Sequence, residues 1–462
     1  MLQQVEYDPK KFWAWRKDLI INDKVISSVM TRKKLVYTKN AKLLIFTLYF
    51  SALLLFIFNY ILLAGGMPWI YNVFSLSFSS IILVEFLDLY LFTLAFVGFR
   101  LFIQPKNKRH LKEATEIFTE SRATKIAVLG SYGKTTMKDI LSVVLSEGKK
   151  VATTPGNMNV TSSHARFAKK LTGDEDIIIV EFGEGEPGDI ARMAQMLKPD
   201  YAIITGLAPN HLDHYSDLTA VASDLLDIYK YVDSKKVFVS GESKMFRDYM
   251  PKDTLEYSAD KVLEWKTKGI RVTIEGLDFS LIKGSKSIKV SSKLLGRHQV
   301  AVLSCVAVLA EKLGLSIKEI ESGLSKTKPY DHRMQPRLVQ GAWLIDDTYN
   351  GNLEGLQAGL RLLSELEAKR KWYVTPGLVD QGSETENVHI ELGKSIAQAN
   401  PDIVVLMENS VRPIIEKSMN DNGFVGELRI ESNPLDFYTN IEHMVAVGDL
   451  VLMQNDWTDN YN

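Results

Sequence analysis

Gly130, Gly133, Lys134 and Thr135 sit within VLGSYGKTTMKDIL, at a spacing suited to holding a phosphate. Glycines let the backbone approach an anion, and the start of the following helix offers free N–H donors and a positive dipole end. Lys134 is long enough to reach outer phosphates, and the Thr135 hydroxyl suits a magnesium ion. The stretch between the glycines, Ser131 and Tyr132, is shorter than in the usual phosphate loop. An ordinary helix start is the competing reading, and the apolar run just before Gly130 favours the phosphate one. Glu181 directly follows IIIV, where a carboxylate suits magnesium together with Thr135; an exposed loop acid is the alternative. His211, in GLAPNHLDHY, follows the run YAIIT and is read as a site residue, with Asp213 and His214 as weaker candidates. The asparagines of TTPGNMNV suit either a polar substrate or a plain turn. DHRMQPR supplies Arg333 and Arg337, and WLIDDTYNGN sets Asp346 and Asp347 at the end of another strand.

These residues need a scaffold, and the pattern around them supplies one. The spacing predicts a strand over 126–129, then a helix over 137–145 with Met137, Ile140, Leu141, Val144 and Leu145 on one face. A strand over 177–180, a helix over 190–197 and a strand over 201–205 follow. Such alternation predicts a parallel sheet with helices on its faces. Ligands gather at the strand C-terminal ends of such sheets. Farther on, KWYVTPGLVDQGSE, a helix beginning near Glu386 and DIVVLME read as a second, Rossmann-like domain.

Length and composition bound the rest. A chain of 462 residues with 46% hydrophobic content has room for about three domains with cores. A net charge of -1 favours no nucleic-acid partner. The single cysteine, Cys305, lies in an apolar helical pattern and reads as packing; it excludes an internal disulfide and a thiolate zinc cluster. From Leu43 to Val84 there is no Asp, Glu, Lys or Arg. This predicts an α-helical hairpin with spans at 43–64 and 78–99, broken by Gly65, Gly66 and Pro68. Cations on both flanks predict a multi-pass protein of the cytoplasmic membrane, with the lipid bilayer as a partner and both termini and the catalytic part in the cytosol. Glu85 and Asp88 fall within the second span, suited to a functional role or to a partner helix. The first thirty residues, with Phe12, Trp13, Trp15, Arg16 and Lys17, read as an interfacial helix or a simple tail. The expected domains are 1–115 (tail and hairpin), 116–328 (nucleotide-binding) and 329–462 (Rossmann-like).

Taken in order, GSYGKTT, TPGNMN, EFGEGEPGDI, GLAPNHLDHY, GRHQ, HRMQ, DDTYNGN and PGLVDQGSE resemble the Mur ligase family over about residues 123–460. The fold this implies is α/β: a Mur-ligase-like P-loop ATPase domain and a C-terminal Rossmann-like domain, here preceded by the hairpin. The motifs look most like the branch that adds D-alanyl-D-alanine to UDP-N-acetylmuramoyl-tripeptide in peptidoglycan precursor synthesis. The implied reaction is ADP-forming amide ligation with ATP and Mg2+ as cofactors: a substrate carboxylate becomes an acyl phosphate, and an amine displaces the phosphate. The implied ATP-binding residues are Gly130, Ser131, Tyr132, Gly133, Lys134, Thr135 and Thr136, with Arg333 and Asp347 from the last domain. The implied metal ligands are Thr135, Glu181 and His211. Lys134 and His211 are the implied catalytic residues, and Asn157, Asn159, Tyr349 and Asn350 the implied substrate contacts.

The chain departs from the family at several points. No lysine stands near Leu225 where a carbamylated one is usual; Asp224 lies beside that position and is expected to take its place at the metal, with a solvated helix charge as the alternative. Gln299 and Leu353 stand where asparagine and proline are expected, and the usual adenine contact is missing at VSGES. Residues 1–115 occupy the place of a soluble UDP-sugar-binding domain. The expected partners are therefore an amino acid or dipeptide and a carboxylate-bearing cell-wall precursor, UDP-linked or lipid-linked. A membrane-associated ligase making a polyamino acid or another envelope polymer is the second reading, and a non-catalytic scaffold the third.

Overall fold

Alternation along each strand divides the first sheet into two cores. In β1 (Thr124–Leu129), Ile126 and Val128 enter one core, while Ala127 and Leu129 enter the other. Successive strand side chains point to opposite faces, so both sets are buried only if helices cover both faces. The structure is a computed structural model. It describes residues 104–208, 215–252, 254–349, 351–378, 381 and 384–455, with side chains from 108 onward.

The strands that follow are β2 (Val151–Thr153), β3 (Ile177–Glu181), β4 (Tyr201–Ile204), β5 (Val237–Ser240), β6 (Leu255–Tyr257), β7 (Lys261–Val262), β8 (Trp265–Thr273), β9 (Gly276–Lys283) and β10 (Lys286–Ser292). They form one sheet of order β10-β9-β8-β7-β6-β5-β4-β1-β3-β2. From β2 across to β6 the pairing is parallel, and from β6 to β10 it is antiparallel. The sheet is thus mixed, where alternation of strands and helices predicts a parallel one. The cause is a run of short hairpins after β6, which need no crossover helix.

Helices α1 (Gln104–Glu120), α2 (Lys134–Leu145), α3 (Thr161–Ala168), α4 (Asp189–Leu197), α5 (Leu218–Leu226), α6 (His298–Lys312) and α7 (Ile317–Ser325) accompany this sheet. The expected apolar face of α2 is wholly buried, from Met137 to Leu145. Helix α6 is apolar all round because it is buried all round, and Cys305 within it is fully enclosed.

A second sheet has the order β11-β12-β16-β13-β14-β15. Its strands are β11 (Gln335–Val339), β12 (Ala342–Asp347), β13 (Arg370–Thr375), β14 (Ile403–Met407), β15 (Glu427–Glu431) and β16 (Asp449–Gln454). Only the edge pair β11–β12 is antiparallel. Helices α8 (Leu353–Glu365), α9 (Thr385–Ala399), α10 (Arg412–Asp421) and α11 (Pro434–Met444) pack on it. Both sheets lie within one compact unit, Leu111–Asn462.

The expected location in the cytoplasmic membrane is corrected. Among the described residues no helix is long and apolar enough to cross a membrane. The stretches read as spans, 43–64 and 78–99, lie outside the described residues, as do Glu85, Asp88 and the N-terminal aromatic segment.

Helices α2 and α7 meet at a glycine. A Cβ on Gly323 would stand 2.7 Å from Val144 Cα. Replacing a helix-interior glycine with alanine normally gains about 1 kcal/mol. Here backbone must move, and overpacking costs about 1–3 kcal/mol. Gly323→Ala should therefore lower the urea midpoint; a raised midpoint means the helices part freely.

Candidate functional site

Strands β1 and β3 are parallel neighbours, with Val128 opposite Glu181, so the glycine loop and Glu181 emerge at the same sheet end. Gly130 has φ +132°, and a Cβ there would lie 2.5 Å from Thr205 Oγ1. The loop is stitched to the segment after β4. Ser131 N–H donates to Gly206 O at 2.9 Å, Thr205 N–H to Leu129 O at 2.8 Å, and the Thr205 hydroxyl to Leu129 O and Tyr132 O. Gly133, left-handed at φ 73°, is the N-cap of α2, so the turn delivers the free N–H groups of the helix start. Lys134 curls back over this loop. Its ammonium donates to Gly130 O and to Glu184 Oε2, the latter at 2.9 Å. Glu184 is 2% exposed and has no counterpart among the candidates read from sequence. Its only sequence signal is its place just past a strand end, three residues beyond Glu181.

Glu181 is 1% exposed. Its Oε1 accepts weakly from Asn159 Nδ2 at 3.4 Å, and its Oε2 has no hydrogen bond, only Lys138 Nζ at 3.6 Å. Lys138 is also new relative to the sequence reading. It is fully buried on α2 and donates to Thr154 O at 2.8 Å and to Gly156 O, with Asp139 at 3.3 Å. One cation thus joins the phosphate-loop helix, the TPGN turn and Glu181. His164 Nε2 donates to Glu181 O at 2.8 Å; burial lowers this histidine to about 4, so it stays neutral. A buried carboxyl oxygen without a hydrogen bond fits a hard divalent cation, which takes oxygen ligands. Thr135 and Glu181 are the described residues that would hold one. Among the described residues no three His, Cys, Asp or Glu gather as a metal group. His211, Asp213 and His214 lie outside them. Asp224 is buried, with Oδ1 accepting from Gly188 N–H at 2.7 Å and Oδ2 from Tyr215 O–H at 2.8 Å. It fastens the loop after β3 to α5, and burial raises its carboxyl above the ordinary range.

The two asparagines of the TPGN turn diverge. Asn159 packs on Gly183, where a Cβ would stand 2.8 Å from its Cγ, and so borders Glu181. Asn157 Nδ2 donates to Tyr349 O–H at 3.0 Å, joining the first sheet's turn to the segment after β12. Arg333 covers the Tyr349 ring, with Cζ 4.5 Å from its centroid. His332 and Met334 flank it at φ 60° and 47°, left-handed values that aim the arginine at the junction. Asp347 accepts from Met334 N–H at 3.1 Å and from Gln454 Nε2 at 2.7 Å. Crowding by protein atoms pushes its carboxyl up to about 7 against those hydrogen bonds. Arg337 faces away and pairs with Glu442 at 3.2 Å. Asn350 lies outside the described residues.

The sequence pattern of the Mur ligase middle domain matches residues 128–310, the span that holds the phosphate loop, Glu181 and Asp224. The central part of this chain is thus similar to a Mur ligase middle domain. The chain is 26% identical over 289 residues to UDP-N-acetylmuramoyl-tripeptide–D-alanyl-D-alanine ligase of Escherichia coli, covering 61% of this chain and 63% of that one. It is 27% identical to the ligase of the same name from Borreliella burgdorferi, covering 64% of each. The matched part is thus under two thirds of these relatives' length. Among solved structures, MurF from Acinetobacter baumannii has a TM-score of 0.65 at 19% identity, covering 75% of this chain and 76% of that chain. The MurF ligase of Thermotoga maritima in complex with ADP has 0.64 at 22%, covering 76% and 80%. At these identities the likeness is one of fold: a Mur-ligase-like α/β architecture with mixed sheets. The relatives are tripeptide ligases by name, and nothing in the comparisons supports a bilayer partner or a lipid-linked acceptor.

Two outcomes are expected for the two sheets at this site. Lys138→Met leaves Glu181 buried without its cation and should cost about 3–5 kcal/mol in urea unfolding, because an uncompensated buried charge remains. Adding Glu181→Gln should restore much of that loss; no recovery means the pair does not interact. Asp347 has a native value of about 7 against an ordinary 3.8. Between those values the native state holds the extra proton, so stability falls as pH rises through that window. Asp347→Asn should flatten that slope, as followed by denaturation midpoints from pH 4 to about pH 8. An unchanged slope excludes Asp347 as its source.

Proposed function

We propose that this protein is an ATP-dependent, ADP-forming amide ligase that joins D-alanyl-D-alanine to a UDP-linked muramoyl-tripeptide in peptidoglycan precursor synthesis. The observation that carries this reading is the glycine loop with Lys134 folded over it, set beside a buried Glu181 oxygen that has no hydrogen bond. The similarity to tripeptide ligases supports the choice of substrates.

In this reading a carboxylate oxygen of the acceptor attacks the γ-phosphorus of ATP, and ADP leaves. The dipeptide amine then attacks the acyl carbon; inorganic phosphate departs, and the amine nitrogen loses a proton. A carboxylate is a poor electrophile, and phosphorylation supplies its leaving group. The protein's share is positioning and charge neutralisation. The loop from Gly130 to Thr136 binds the phosphates through backbone N–H groups, and Lys134 balances their charge. Bound magnesium would neutralise phosphate charge, held by Thr135 and Glu181, with His211 completing the set. Asp224 belongs to that set only through the second lone pairs of oxygens that already accept hydrogen bonds. Arg333 and Asp347 contribute to ATP from the last domain. Asn157, Asn159 and Tyr349 serve the acceptor, and Asn350 is assigned to the same role from its place in the sequence. The working domain limits are 116–328 and 329–462.

The full chain should release ADP from MgATP only when UDP-linked tripeptide and D-alanyl-D-alanine are both present, with the amide product seen by mass spectrometry. Lys134→Ala should lower turnover by at least about a hundredfold, as losing a key charge-stabilising group does. Oxygen-18 placed in the acceptor carboxylate should appear in the released phosphate. Unlabelled phosphate alongside product would sink the acyl-phosphate route.

A further inference from the structure

One side chain of the phosphate loop leaves the loop altogether. Tyr132 passes across Gly206, where a Cβ would stand 2.3 Å from Tyr132 Cζ and 2.4 Å from its hydroxyl. Only glycine leaves that path open. Beyond Gly206, the Tyr132 hydroxyl donates to Glu354 Oε2 in the first turn of α8. Lys244 and Arg361 are nearby cations of the same carboxylate. Glu354 thus ties the second sheet's helix to the phosphate loop of the first. The backbone of Tyr132 is fixed too, since its carbonyl accepts from the Thr205 hydroxyl.

The position of α8 matters because of what precedes it. Asp347, the last residue of β12, and Tyr349 precede α8 closely in the chain, and the N-cap of α8, Asn352, accepts from Gly355 N–H at 2.8 Å. Fixing the start of α8 against the phosphate loop fixes where these two side chains stand relative to the phosphates.

We infer that Tyr132 is a positioning residue: through Glu354 it sets where Asp347 and Tyr349 of the second sheet stand against the phosphate loop. The inference rests on the ligase reading for its kinetic consequence. The loop's own phosphate contacts come from backbone N–H groups and Lys134, which do not depend on the Tyr132 hydroxyl. Loss of the tie should therefore impair the bound complex more than nucleotide binding. Burial and the Glu354 carboxylate both raise the Tyr132 hydroxyl, so it stays a donor throughout the physiological range.

The test compares full-length wild type, Tyr132→Phe, Glu354→Gln and the double variant, with MgATP, D-alanyl-D-alanine and UDP-linked tripeptide. Each single change should lower kcat by about tenfold and leave KM for ATP within about twofold, because misplacement by a fraction of an ångström acts on the reacting geometry. The double variant should be no slower than either single, since both remove one interaction. Losses that multiply, or an unchanged kcat in Tyr132→Phe beside active wild type, overturn the inference. A wild type without ligase activity instead refutes the functional reading. In that case amide hydrogen exchange decides: residues 353–356 should exchange faster in both single variants, and equal rates refute the tie.

Discussion

The turn between β1 and α2 has no spare volume. Gly130 backs onto Thr205 and Gly206, and Gly206 in turn is covered by the Tyr132 ring. Any added Cβ at either glycine meets atoms at 2.5 Å or less. The hydroxyl and N–H of Thr205 hold the loop through the carbonyls of Leu129 and Tyr132, and the N–H groups at the start of α2 are left out of this net. A loop that could collapse would satisfy those groups internally; one held open keeps them for an anion.

Around this rigid turn the buried charges are arranged in pairs of unequal completeness. Lys134 and Glu184 satisfy each other at hydrogen-bond distance, whereas Lys138 spends its donors on two carbonyls and stands 3.6 Å from Glu181. Desolvating two charges is repaid only when lone pairs and protons all find partners. The Glu184 pair comes close to that condition, and Glu181 does not. Its second oxygen is left without a hydrogen bond. Surface pairs such as Arg337–Glu442 carry little of this weight, since water already screens them.

The second sheet meets this arrangement at a few polar points. Asn157 to Tyr349, Arg333 over the same ring, and Tyr132 to Glu354 all come from loops or helix starts at strand ends. Three of the apolar clusters stay with their own sheet, whereas Leu295, with Val272 and Ile274 packed alongside, joins a cluster of the second sheet. Directional polar contacts and this apolar patch together give the two sheets a defined register.

The sequence by itself determined the elements that depend on neighbours along the chain. Apolar runs and 3.6-residue spacing identified β1, β3, α2 and α4 to within a few residues, and glycine spacing marked the positive-φ turn before α2, because strand alternation, helix faces and positive-φ turns are local properties. The strand–helix rhythm predicted a parallel sheet, yet β10 is antiparallel because hairpins close locally. Only the tertiary structure decided which acids matter together. Glu184, Lys138 and Glu354 are ordinary charges in the sequence, and become site residues because neighbouring strands, a buried helix face and the second sheet bring them to one end of β1 and β3. It also separated Asn157 from Asn159 and gave Asp224 two donors of its own. Side-chain partners far apart in the chain are set by packing and desolvation in three dimensions, and no spacing rule along the sequence encodes them.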